Sequence, residues 1–241
     1  MVEKSESVMS KIYVALDTAE ANQAIAWVKD LSAVNPFFKV GLELFTAHGP
    51  GILHEVQRHG GKIFLDLKFH DIPNTVAGAI RSSLKFGVEI FNVHCSGGSA
   101  MLSAAVQANQ EESRRLSVSP PILLGVTVLT SMDDSALQEL GYSRSVSAQV
   151  KHFVDLVTST GLDGVVCSPR EITLVKGMNP SLKVLVPGIR PADAELGDQK
   201  RVTTPLEAVR AGADFLVVGR PITQAKNPVK ALEKILEEIS S

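Results

Sequence analysis

Cysteine is nearly missing: Cys95 and Cys167 are the only two among 241 residues. They stand far apart, with no CxxC pair and no histidine-rich neighbourhood, so neither a disulfide framework nor a zinc site is expected. A reducing cytoplasmic setting is the matching expectation. No stretch approaches the ~18 consecutive apolar residues of a spanning helix, and the opening MVEKSESVMS has no apolar signal-peptide run. Export and membrane insertion are therefore not expected, and residues 1–10, which follow neither helical nor strand periodicity, read as a flexible N-terminal extension. Charge of one sign is not in excess either. With 24 Lys and Arg against 26 Asp and Glu, the formal net charge is -2, so no overall basic field invites nucleic acid or an anionic membrane surface. Low-complexity tracts and Pro-rich linkers are also missing, and nothing divides residues 11–241 into separate domains.

What is present is alternation. Hydrophobic residues make up 44% of the chain, enough for one large core. Short β-branched and apolar runs at 12–17, 37–41, 62–68, 88–94, 122–128, 163–168, 183–187 and 214–219 read as strands, each followed by a longer helical segment. Four runs follow a similar phrase: RHGGKIFLDLK, KFGVEIFNVH, STGLDGVVCS and RAGADFLVVGR. Each reads as a helix closed by glycine, then a polar or charged residue, then a buried strand. Continuous apolar runs such as ILLGVTVL and FLVVG suit parallel strands covered on both faces. An open doubly wound sheet is the alternative, but no GxGxxG follows the first strand, and eight units in this length fit closure. The expected fold is a single-domain α/β protein, a (β/α)8 TIM barrel.

In such barrels the chemistry lies at the C-terminal ends of the strands, so polar residues that end apolar runs form one set. Asp17, Lys39 and His94 end strands 1, 2 and 4, while Asp66 and Lys68 end strand 3 in FLDLKFHDIPNT. Residues two apart on a strand share a face, which turns Asp66 and Lys68 toward the barrel mouth and Leu65 and Leu67 toward the helices. Asp71 follows in the loop, and Pro73 precedes a helix that Asn74 or Thr75 is placed to cap. A structural salt-bridge network is the plain alternative. Against it stands the desolvation cost of charges that face a low-dielectric barrel, where an apolar replacement is often no less stable. Lys39 interrupts PFFKVGLELF and faces the same mouth, unless it snorkels to solvent.

A second set follows strands 7 and 8, where KVLVPGIRP and FLVVGRPIT end in glycine turns carrying Arg190 and Arg220. Loops at these positions are the usual phosphate site of the architecture, and Arg220 would add a charge-assisted clamp. Between them PADAELGDQKRVTTP reads either as a lid, from which Gln199 reaches a phosphate, or as an ordinary solvated loop.

The segment FLDLKFHDIPNTV, with DxKxxD followed by IPNT, resembles the signature of the orotidine 5'-phosphate decarboxylase family. The resemblance extends through VALD, FKVG, VTVLTS, PGIRP with the downstream QKR, and VVGRPI, in the order and spacing of the bacterial form. It implies decarboxylation of orotidine 5'-phosphate to uridine 5'-phosphate without a cofactor or metal. By position it implies that Asp17 and Lys39 contact the ribose hydroxyls, that Lys39 also joins a charge array, that Lys68 is the proton donor and that Asp66 lies beside the substrate carboxylate. Asp71 and Thr75 would reach into the neighbouring site of a homodimer. Thr130 and Ser131 match positions around the pyrimidine, Pro187 one lining the pocket, and Gln199, Gly219 and Arg220 the phosphate grip, with Arg190 beside them. The chain departs from the family's pattern in HCSGGSAML, where Cys95 and Ala100 replace a small residue and, often, an arginine. His70, His94 and Cys95 are accordingly read as packing or supporting residues. Two rivals remain: a sugar-phosphate decarboxylase or aldolase barrel that shares DxKxxD but uses magnesium, and a catalytically silent nucleotide-binding barrel.

Overall fold

The computed structural model describes residues 12–191 and 203–240. Eight parallel strands close into a barrel in sequence order, the last pairing with the first. They are β1 (Ile12–Ala15), β2 (Phe37–Gly41), β3 (Lys62–Phe69), β4 (Ile90–His94), β5 (Ile122–Val126), β6 (Gly164–Val166), β7 (Lys183–Val186) and β8 (Phe215–Val218). The expected α/β TIM barrel is therefore the observed fold. Strand positions agree with the sequence expectation, although six of the eight are shorter by one to three residues: five pass earlier into the loops at the barrel mouth, and β4 begins two residues later than expected. The N-terminal extension, residues 1–10, lies outside the described residues. None of the described helices is long and apolar enough to cross a membrane.

Strand alternation creates two cores. Tyr13, Ala15, Phe64, Ile90, Leu124, Val126, Val166, Leu185 and Val217 fill the inside of the barrel. The ring of Tyr13 meets Phe37, Phe64 and Phe215 edge-on at centroid distances of 5.4, 5.9 and 6.0 Å, a preferred aromatic geometry that plugs the interior. Residues of opposite parity, such as Val14, Phe38, Leu65, Phe91 and Val218, pack outward in the larger core that includes the helices. The interior is thus solid below, and a side chain of inward parity near a strand's C-terminal end must emerge at the mouth.

The four recurrent phrases behave as expected. Gly60, Gly87, Gly161 and Gly212 all adopt positive φ just after a helix, a conformation in which a Cβ would be strained. The acid that follows acts on the neighbouring strand: Asp163 accepts the Leu123 backbone N–H and Asp214 accepts that of Val184, each at 2.8 Å. These bonds satisfy strand-end donors that a closed ladder would leave open. Both cysteines are buried free thiols.

Candidate active site

The inward parity of β1 to β3 delivers a line of alternating charge at the C-terminal mouth. Asp17 lies two residues past the end of β1, and its Oδ1 accepts from Lys39 Nζ at 2.9 Å. Lys39 belongs to β2, directly across from Phe64 in register, and its ammonium also stands 3.6 Å from Asp66 Oδ2. On β3, Asp66 Oδ1 accepts from Lys68 Nζ at 2.6 Å. The order is carboxylate, ammonium, carboxylate, ammonium. The Asp17 side chain is 61% exposed and those of Lys39 and Asp66 only 10% and 13%, so the line runs from solvent into the barrel. Lys68, at 29%, is the more exposed of the two ammonium groups.

Asp66 is held in its ionised form. Burial alone would raise its pKa, but Lys39, Lys68 and hydrogen bonds from Lys68 and Asn92 outweigh it and leave the carboxyl below its ordinary range. The ion pairs thus offset the desolvation that each buried charge carries. His94 closes the same side from β4, its ring 5.4 Å from that of His70. Burial first, and then the neighbouring His70 and Lys68, depress its pKa against the pull of Asp66. These neighbours favour the neutral imidazole.

Two features of this line were not visible in the sequence. Strand β3 is irregular: Leu65 pairs with Phe91 but Phe69 pairs with Val93, so three residues oppose one, and Lys68 takes a left-handed φ of 50°. Strained, bulged backbone of this kind re-aims a side chain and gathers at functional sites. Leu67 still packs against the outer core as alternation requires. The second feature is Gly41, where an added Cβ would lie 2.8 Å from Lys39 Nζ. Its φ of -101° is open to any residue, so its small size matters and its flexibility does not. We expect Gly41→Ala to push the Lys39 ammonium aside and lower kcat/KM by on the order of tenfold, while the melting temperature hardly moves. Steady-state kinetics beside a thermal melt check both halves.

Asp71 lies outside this line in the chain itself. It is exposed, makes no ion pair within the described residues, and accepts the backbone N–H of Ile72 at 2.6 Å. Asp17, rather than Asp71, is the second carboxylate of the line within this chain. The helix Pro73–Leu84 begins with Ile72 as its cap residue and Pro73 inside the first turn. Asn74 and Thr75 therefore sit inside the helix and cap nothing. The whole stretch from Asp71 to Thr75 is exposed, Ile72 by 67%.

The remaining candidates also lie above the strand ends. Thr130 and Ser131 are exposed in the loop after β5, and Pro187 is half-buried just past β7. Arg190 is buried, and its backbone N–H reaches the carbonyl of Thr203 at 3.3 Å, which brings the two sides of the connection together. Gln199 and most of the expected lid, residues 192–202, lie outside the described residues, while Pro191 and Thr203 to Pro205 at its two ends lie within them. Gly219 directly follows β8, and a Cβ there would meet Ala15 at 3.4 Å and Asp17 Oδ2 at 3.7 Å. The arginine turn of β8 thereby adjoins the outer end of the charge line, with Arg220 exposed as the first residue of the short helix Arg220–Thr223.

Comparison with known proteins gives a consistent picture. The family model described as "Orotidine 5'-phosphate decarboxylase / HUMPS family" matches residues 10–235. The orotidine 5'-phosphate decarboxylase of Moorella thermoacetica is 50% identical over 231 residues, covering 95% of this chain and 92% of that protein. The corresponding protein of Paramagnetospirillum magneticum is 46% identical over 232 residues, covering 96% and 99%. Among solved structures, orotidine 5'-phosphate decarboxylase from Lactobacillus acidophilus superposes with a TM-score of 0.84 at 36% identity, over 96% of this chain and 99% of that one. An uncharacterized conserved protein from Geobacillus kaustophilus gives 0.83 at 32%, over 95% and 99%.

Proposed function

The chain belongs to the orotidine 5'-phosphate decarboxylase / HUMPS family, and from that premise we propose that it converts orotidine 5'-phosphate to uridine 5'-phosphate and CO2. This is the last step of de novo uridine 5'-phosphate synthesis, carried out in the cytoplasm by a single catalytic domain, residues 11–241. The observation that carries the reading is the alternating line Asp17, Lys39, Asp66, Lys68 at the barrel mouth.

Breaking the bond between C6 and the carboxylate leaves its electron pair in an sp2 orbital that the pyrimidine ring cannot delocalise. An ammonium fixed beside that carbon stabilises the pair without reorienting as charge develops, which is where preorganised electrostatics contributes most. Lys68 serves as that cation and then gives C6 its proton, regaining one from solvent. Asp66, ionised and hydrogen-bonded, lies beside the leaving carboxylate and holds Lys68 in place. Lys39 links the array to the ribose hydroxyls, which it shares with Asp17.

Thr130, Ser131 and Pro187 surround the pyrimidine. Gly219, Arg220 and Gln199 grip the phosphate, with Arg190 beside them. The closeness of Gly219 to the Asp17 end of the line supports a phosphate bound next to the ribose site. The protein acts as a homodimer in which Asp71 and Thr75 complete the neighbouring site. Their exposure, together with that of Ile72, supports this role.

The test is the fall in ultraviolet absorbance when orotidine 5'-phosphate is mixed with chelator-treated protein. Turnover is expected to persist at the untreated rate, since no cofactor enters the mechanism. Loss of activity restored by magnesium would transfer the chain to the metal-dependent sugar-phosphate rival. Binding without turnover would transfer it to the silent nucleotide-binding one.

A further inference from the structure

Asn92 is fully buried yet polar, and it faces the charge line from β4. It has the inward parity of Ile90, whose side chain fills the barrel interior directly below. Opposite it on β3 lies the irregular stretch where the pairing steps from Leu65 to Phe69. A bulge detaches a backbone N–H from the ladder, and a buried donor left without a partner is destabilising. The Lys68 N–H, detached in this way, donates to Asn92 Oδ1 at 2.8 Å. The Asn92 Nδ2 in turn donates to Asp66 Oδ1 at 2.8 Å, the same oxygen that receives the Lys68 ammonium at 2.6 Å. One amide therefore grips both the strained backbone of Lys68 and the carboxylate that holds its side chain. The amide has one orientation only, because turning it over would set an NH2 against the Lys68 N–H.

We infer that Asn92 is a positioning residue for the reaction, fixing the backbone bulge and the Asp66 carboxylate so that the Lys68 ammonium stands at one place and angle over the substrate. This rests on the decarboxylase reading. Asn92 itself touches no reacting atom. Its part is to remove freedom from Lys68, and a displacement of about 1 Å in such a group costs on the order of 100-fold in rate.

Turnover of orotidine 5'-phosphate by the wild-type protein tests the decarboxylase reading alone. The Asn92 variants are then judged as ratios to that rate. Asn92→Leu keeps volume and burial while removing both hydrogen bonds. The expected result is a kcat lower by on the order of 100-fold with KM within about threefold. A folded Asn92→Leu protein whose kcat stays within about threefold of wild type would overturn the inference.

Asn92→Asp decides the matter independently, including where Asn92→Leu does not fold. It leaves an acceptor for the Lys68 N–H but sets a second carboxylate against Asp66. Such a pair retains one proton more readily than either acid alone, and the shared proton replaces the lost Nδ2–H donor. The groups facing it are Lys39 from β2, Asp66 and Lys68 from β3, and His94 from its own strand with His70 behind; β5 presents the apolar Leu124 in register. The ratio of its kcat to that of wild type should therefore climb by about tenfold or more as pH falls from roughly 8 to 5. A ratio flat across that range would show Asn92 to be packing only.

Discussion

Replacing Lys68 by alanine is expected to lower kcat by roughly 10⁴-fold or more while the protein stays folded. Two contributions vanish together, the fixed positive charge beside C6 and the proton that C6 receives, and each is commonly worth 10²-fold or more. The fold survives because Lys68 stands at the mouth, above an interior plugged by Phe64, Ile90 and the Tyr13 cluster. Alanine neither relieves nor worsens the left-handed backbone at this position. Asp66 keeps Lys39 at 3.6 Å and Asn92 at 2.8 Å, so its charge is not stranded. The check is kcat from absorbance assays beside circular dichroism and a thermal melt. Lys68→Arg separates the two contributions, since guanidinium keeps the charge but is a very poor proton donor. It too should be nearly inactive. Retained turnover in purified, folded Lys68→Ala would remove Lys68 from the chemistry.

Arg220→Ala should have the next largest effect, lowering kcat/KM by on the order of 100-fold or more, about 2.7 kcal/mol of transition-state stabilisation. Arg220 acts from the turn after β8, whose Gly219 adjoins Ala15 and Asp17 at the outer end of the charge line. A guanidinium on a phosphate makes strong charge-assisted hydrogen bonds. Energy from that remote contact holds the pyrimidine against Lys68, so its loss lowers the rate as well as the affinity. Full kinetics with orotidine 5'-phosphate provide the measurement. A change under about threefold would take Arg220 out of the phosphate grip. Addition of inorganic phosphite to a substrate lacking the phosphate group gives a second readout, for activation by the detached anion should weaken in the same variant.

Much of this was legible in the sequence because the governing physics is local. Glycines after helices, acids leading into strands and apolar runs between them specify each βα unit from neighbouring residues. Alternation with period two then turned Lys39, Asp66 and Lys68 toward the mouth and Leu65 and Leu67 away from it. Asn92 was missed because, within IFNVH, one polar residue in a strand carries no mark of its partners. Its inward parity with Ile90 and His94 was the signal available. Gly41 was missed for a related reason: what a glycine leaves room for lies on another strand or on a side chain that doubles back.

The sequence alone thus determined eight strands, their faces and the charged residues at their ends, because these depend on contacts a few residues apart. Only the tertiary structure decided which charges meet. Barrel closure brings Gly219 beside Asp17 and carries Lys39 from Asp17 to Asp66. The bulge on β3 bends Lys68 onto Asp66, while Asp71, three residues further on, turns out to solvent. Spacing along a chain sets parity, but a bulge interrupts parity, and pairing between distant strands has no trace in either strand alone.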